Sequence, residues 1–127
     1  MPSRERVNAF VATVRDGRYV EAIADFYAAD ASMRENLAPP RVGRDVLIAA
    51  EKAMLGSVSR IATRRASPVI VDGDHVVIGW EFELTTLDGA VRRLDELALQ
   101  TWRGDVIVEE RFYYDPAQAA AVETETA

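Results

Sequence analysis

The chain has 127 residues, 49% of them apolar and 28% charged, with no cysteine and a formal net charge of −6. That length and balance fit one globular domain with an ordinary hydrophobic core and exclude a disordered chain. Disulfide and thiolate chemistry are excluded with the cysteines, the acidic excess works against a nucleic-acid surface, and no run of 18 apolar residues exists to span a membrane.

Val7, Phe10, Val11 and Val14 recur at the spacing of an amphipathic helix, with Ser3 as its N-cap and Asp16-Gly17 as its end. A second helix carries Tyr19, Ile23, Phe26 and Tyr27 on one stripe, so the two form a helical hairpin. Ala31 to Leu37 reads as a short strand, stopped by Pro39 and Pro40, neither of which can donate to a ladder. Gly43-Arg44-Asp45 leads into a third helix over about 45–56, with Leu47, Ala50 and Met54 on its inner face and Gly56 at its close.

The pattern then changes to period two. Ile61 to Val71 is a strand interrupted near Pro68, and Asp72-Gly73-Asp74 turns it into the strand His75 to Thr86. There Val76, Ile78, Trp80, Phe82 and Leu84 alternate with more polar neighbours. Leu87-Asp88-Gly89 leads to Val91–Trp102, and Arg103-Gly104-Asp105 leads to a last strand, Val106–Tyr114. The predicted order is helix, helix, short strand, helix and four meandering strands: an α+β layout with helices on one face of the sheet. One domain spans 1–116, and the small, acidic tail 117–127 is expected to fray.

Lys52 is the only lysine; arginines cluster at Arg60, Arg64 and Arg65 and at Arg92 and Arg93. Their expected role is in surface ion pairs rather than nucleic-acid binding. The N-terminal MPSRERVNAF lacks an apolar core followed by a cleavage site, so no signal peptide is expected and the chain reads as cytoplasmic. With His75 alone, in a turn, and no cysteine, no metal site of the zinc type is expected.

Two stretches carry a family resemblance. Phe26-Tyr27-Ala28-Ala29-Asp30-Ala31-Ser32-Met33 resembles a helix-to-strand step, and Trp102-Arg103-Gly104-Asp105 through Tyr113-Tyr114-Asp115 resembles a closing hairpin, of the nuclear transport factor 2-like superfamily. Within it, the SnoaL-like and ketosteroid-isomerase-like proteins are the nearest pattern. The resemblance spans about residues 4–116. It implies a cone: a curved antiparallel or mixed sheet wrapped around three N-terminal helices, with an apolar pocket at the wide end. It also implies a homodimer packed through the outer sheet face, a small apolar organic ligand, and no cofactor. Because this cone hosts many activities, it does not by itself assign one.

Counted from Asp30-Ala31, the isomerase-like general base falls on Glu35, where a pocket would raise a carboxyl pKa toward proton transfer beside a carbonyl. The two donors of the isomerase oxyanion hole fall on Phe10 and near Ala98, which donate nothing, so steroid isomerisation by that route is not expected. The aspartate of the epoxide-hydrolase pattern falls on Phe112, and its Arg-x-Asp pair is missing near Trp80–Glu83. A SnoaL-type acid–base role leaves Glu35, Glu96 and Glu110 as candidates. In the aligned frame Leu94, Glu96, Ala98, Gln100 and Trp102 face inward, as do Val108, Glu110, Phe112 and Tyr114. Leu97 and Leu99 face outward, as a dimer surface requires. A one-residue slip would reverse each of these assignments.

The candidate catalytic residues are therefore Glu35, as base, and Glu96. Tyr27, Trp80, Gln100, Glu110, Phe112 and Tyr114 are the candidate ligand contacts. Each also has a structural reading. Glu35 can pair with Arg34 or Arg41, Glu96 and Gln100 can satisfy each other in a buried network, and the aromatics can be core. At the level of function, the alternative to a binding protein with acid–base chemistry is a non-catalytic module with a vestigial pocket.

Overall fold

A computed structural model describes residues 1–118. Three helices, α1 (Arg4–Arg15), α2 (Tyr19–Phe26) and α3 (Arg44–Gly56), accompany six strands: β1 (Tyr27–Glu35), β2 (Arg41–Val42), β3 (Val58–Asp72), β4 (His75–Thr86), β5 (Val91–Arg103) and β6 (Val106–Tyr113). One sheet contains all six in the order β2-β1-β6-β5-β4-β3. β1 runs parallel to β6 and every other pair is antiparallel. This is the expected α+β cone: a mixed, curved sheet wrapped on its helices.

α1 starts where expected. The Ser3 hydroxyl accepts the Arg6 N–H at 3.0 Å, satisfying one of the otherwise unpaired donors of the first turn. Its buried stripe, Val7, Phe10, Val11 and Val14, is the predicted one. Phe10 is the hub of the core, meeting Phe26, Tyr27, Trp80 and Trp102 edge to face at centroid distances of 5.4–6.4 Å. That geometry sets positive ring edges against negative faces.

The first strand departs from expectation. Tyr27, assigned to the helical stripe, is already extended (φ −101°, ψ 143°), and Leu37 lies beyond the strand and is exposed. Tertiary pairing decides both ends. Tyr27 pairs with Ile107 of β6, and its carbonyl accepts from the Arg44 guanidinium at 3.1 Å. At the other end Asn36 adopts φ 50°, a left-handed conformation that Asn tolerates better than most residues. Its N–H donates to the Phe112 carbonyl at 2.7 Å, and its side-chain oxygen accepts the Tyr114 N–H at 3.0 Å. Asn36 thus fastens the end of β1 to the end of β6. The two-residue β2, just after the prolines, was not foreseen.

β3 is longer than predicted because irregularities let it bend with the cone. One lies between Ala66 and Val69, spanning Pro68. There the Ser67 backbone crosses so near β4 that a Cβ on Gly79 would meet the Ser67 carbonyl oxygen at 2.4 Å. Glycine is required at 79 for this approach.

The inward frame of β5 is as expected: Glu96, Ala98, Gln100 and Trp102 are buried while Asp95 and Leu97 are exposed. β6 follows the expected frame only in part. A register shift against Thr101/Trp102 turns Ile107 rather than Val108 into the core, after which Glu110 is buried as predicted. The outer faces of β3, β4 and β5 carry ion pairs. Arg65 pairs with Glu81 and Asp95 at 3.3 and 2.8 Å, and Glu83 with Arg64 and Arg93 at 3.5 and 3.7 Å.

Of the expected tail 117–127, residues 119–127 lie outside the described residues. Gln118 is held: its side-chain amide bonds the N–H and carbonyl of Asp95 at 2.8 and 2.9 Å, just past where β6 leaves the edge of β5. No helix among the described residues is long and apolar enough to cross a membrane.

Candidate functional site

α3 lies over the wide end of the cone without filling it. A cavity of about 300 Å³ remains between the helices and the inner sheet face. Its walls are mostly apolar and aromatic, with Phe10, Trp80, Phe82 and Phe112 among them. Four carboxyl side chains reach it, Glu35 from β1, Glu51 from α3, Glu96 from β5 and Glu110 from β6, with one guanidinium, Arg41.

The four carboxyls differ in their partners. Glu110 is 1% exposed and saturated. The Tyr27 hydroxyl donates to one of its oxygens and the Gln100 amide donates to the other at 2.7 Å. Gln100 in turn accepts the Trp102 indole N–H at 3.0 Å. Burial pushes the Glu110 carboxyl up to about 7 against the opposing pull of these two donors. The Tyr27 hydroxyl is raised well above its ordinary 10.0, first by burial and then by the Glu110 charge.

Glu96 is 7% exposed, and among the described residues no hydrogen-bond donor or ion-pair partner meets its carboxyl. Burial, followed by the charges of Glu110, Glu35 and Glu51, pushes it up to about 8. Glu96 is therefore largely protonated at neutral pH and a comparatively strong base once ionised. Glu51 is also raised, chiefly by burial.

Glu35 sits at the rim. Its side chain is 42% exposed, faces Arg41 at 3.8 Å and accepts the Tyr114 hydroxyl at 3.1 Å. Of the eight residues singled out from the sequence, Glu35, Glu96, Tyr27, Trp80, Glu110 and Phe112 line the cavity. Gln100 is enclosed between Glu110 and Trp102, and Tyr114 stands behind Glu35. Phe10 lines the cavity and Ala98 is fully buried, so neither position onto which the resemblance places an isomerase oxyanion donor carries a polar side chain.

Glu51 and Arg41 are the additions. Glu51 shares the α3 stripe Leu47–Ala50–Met54 at i+4 from Leu47, so helical periodicity alone could have placed it inward. Arg41 owes its place to β2 pairing, Ser32 with Val42 and Met33 with Arg41, which periodicity does not show. His75 is exposed at its turn. Among the described residues, no three His, Cys, Asp or Glu side chains are grouped to hold a metal ion.

The described residues thus form an α+β cone with a carboxyl-bearing, mostly apolar cavity at its wide end. The SnoaL-like domain family matches residues 7–110, and the chain belongs to it. No curated protein sequence matches. Among solved structures, TerC, co-crystallised with polyporic acid, is 20% identical with a TM-score of 0.78, over 94% of this chain and 96% of that one. A ketosteroid-isomerase-like protein from Catenulispora acidiphila, in complex with trimethylamine, is 20% identical with a TM-score of 0.79, over 96% and 94%. A protein of the nuclear transport factor 2-like fold from Burkholderia pseudomallei is 15% identical with a TM-score of 0.79, over 94% and 95%. At these identities the likeness is one of fold.

Proposed function

We propose that this protein binds a small, mostly apolar organic molecule in the cone and moves a proton on it with Glu96. The observation that carries this reading is a buried carboxyl, without a partner among the described residues, on the wall of an aromatic cavity. In the ionised form Glu96 takes a proton from a carbon beside a carbonyl, leaving an enolate, and then returns it at a second position. The raised Glu51 carboxyl is the second proton source, on α3 across from the sheet. Glu35 gates the rim with Arg41 rather than serving as the base. Glu110 holds Tyr27 and Gln100 in place at the wall. Two of the similar structures hold small organic molecules, polyporic acid and trimethylamine, which supports a ligand role for the pocket.

The test is exchange of carbon-bound hydrogen for deuterium on a panel of small apolar ketones, followed by NMR, alongside native mass spectrometry of the purified protein. Glu96→Gln is expected to slow exchange by about 100-fold or more, the scale of a lost general base. Exchange at the wild-type rate in that variant would sink the assignment. A second reading, a binding module without catalysis, is favoured by the Glu35–Arg41 pair, which ties up the family's usual base position. It predicts retained ligand and no exchange in either protein.

The same reading pairs two copies through the outer sheet face, where Leu97 is 48% exposed and Tyr113 39% exposed. Sedimentation velocity is expected to give a dimer that Leu97→Arg dissociates; a wild-type monomer removes this interface.

A further inference from the structure

The balance of charge around the cavity goes further than a generic apolar ligand. α2 contributes Tyr19, and β1 contributes Tyr27 and Glu35; Arg41 comes from β2, Glu51 from α3, Glu96 from β5 and Glu110 from β6. Among the described residues the cation lining the cavity is Arg41, which pairs with Glu35 at 3.8 Å and whose charge also reaches Glu51. The Tyr27 and Gln100 donors are committed to Glu110, and the Tyr19 hydroxyl to Thr63 at 3.0 Å. Glu96, more than nine-tenths buried, is left with no hydrogen-bond or ion-pair partner among the described residues, and Glu51 has no contact partner there, with only the Arg41 charge acting in favour of its ionised form.

Two such carboxyls in one low-dielectric space repel each other when ionised, and each is held toward its neutral form. An anionic ligand would add a like charge, and a purely apolar one would leave both carboxyls without a partner. A positively charged group would satisfy both, and the surrounding Trp and Phe rings attract a cation through their negative faces.

We propose that the cavity takes an organic cation: a protonated amine on a compact apolar body, with the ammonium at Glu96 and Glu51 and the body against Trp80, Phe82 and Phe10. This rests on the reading that the cavity binds a small organic molecule and names the class of that molecule; toward a cation Glu96 serves as counter-ion and not as the carbon base. The ammonium N–H groups donate to the carboxylates, so ligand binding displaces the carboxyl protons. Affinity therefore rises with pH through the titration of Glu96 and levels off above it, until the amine itself loses its proton.

Three probes of one size separate the alternatives: 2-phenylethylammonium, 2-phenylethanol and phenylacetate, titrated into the intact protein by calorimetry at pH 8.5. The ammonium is expected to bind at least about tenfold more tightly than the alcohol, with phenylacetate weakest. Repeating the titration at pH 7 in two buffers of different ionisation enthalpy is expected to show proton release with the ammonium and none with the alcohol. Glu96→Gln should lower ammonium affinity about tenfold and leave the alcohol within about twofold. Glu51→Gln should act in the same direction, and it serves if the first variant does not fold. If the alcohol binds as tightly as the ammonium, or phenylacetate binds best, the cation assignment is overturned while the small-molecule reading survives. If none of the three binds, the cation assignment also falls. The reading beneath it falls with it only if the ketone panel and the native mass spectrum are blank as well.

Discussion

Glu110 and Glu96 stand on neighbouring strands, both face into the cone and both are buried, yet their surroundings are opposite. At the Glu110 end the sheet closes on the helical hairpin. A chain of donors, Tyr27 and Gln100 with Trp102 behind, saturates the acid. At the Glu96 end α3 stands off the sheet, leaving about 300 Å³ and a carboxyl that no donor among the described residues meets. A buried acid is thus structural or reactive according to what its neighbours spend on it. Partners hold the Glu110 network in one arrangement, and their absence leaves Glu96 available to a ligand.

Removing the saturated acid should show the largest effect. Glu110→Leu leaves the Tyr27 hydroxyl and the Gln100 amide buried without an acceptor, at about 1–3 kcal/mol each, so a loss of about 4 kcal/mol is expected in urea denaturation. A loss below about 1 kcal/mol would erase the contrast between the two ends, because it would mean that the network carries little of the fold.

The bare acid should respond with the opposite sign. Glu96 titrates near 8 in the folded protein against an ordinary 4.5, so the folded state binds its proton more tightly than the unfolded one. The resulting stabilisation is fully present below about 4.5 and is lost as pH rises through about 8. Wild-type stability should therefore fall between pH 5 and pH 9, with Glu110, raised to about 7, contributing in the same direction. Glu96→Gln removes one of these contributions and should stabilise the protein at pH 9 by about 5 kcal/mol, read as a higher Tm than wild type. An unchanged pH profile in this variant would show that Glu96 is better solvated than its burial indicates.

The rim should be nearly silent in stability. Glu35 and Arg41 are each more than two-fifths exposed at 3.8 Å. Arg41→Ala is therefore expected to cost under about 0.5 kcal/mol in the same denaturation experiment. A larger cost would extend the structural region of the cone out to its mouth. In ligand titrations Arg41→Ala should strengthen binding of 2-phenylethylammonium by about two- to threefold, since it removes a like charge at the mouth.

Much of this contrast was legible in the sequence. The period-3.6 stripe of α1 and the period-2 run of β5 identify Phe10, Glu96 and Gln100 as inward, because burial of one face is written directly into spacing. Glu51 was legible by the same rule. The β6 frame was legible only from Glu110 onward: a one-residue irregularity at Val108 reverses alternation locally, and bulges leave no periodic mark. The reach of β1 back to Tyr27 was hidden because the residue fits a helical stripe equally well, and only its pairing with Ile107 made it extended.

By itself the sequence determined the order of all elements but β2 and the inward face of Glu96 and Glu110, since these follow from local periodicity, turn residues and the one-sided burial they enforce, while the cone was implied by the family resemblance. Only the tertiary structure decided which of those acids is quenched. Glu110 meets Tyr27 across 83 positions of chain, whereas Glu96, on the next strand, meets no donor among the described residues. Partnership between residues so far apart in the chain depends on strand register and helix stand-off. Neither is carried by the spacing of residues within a single element.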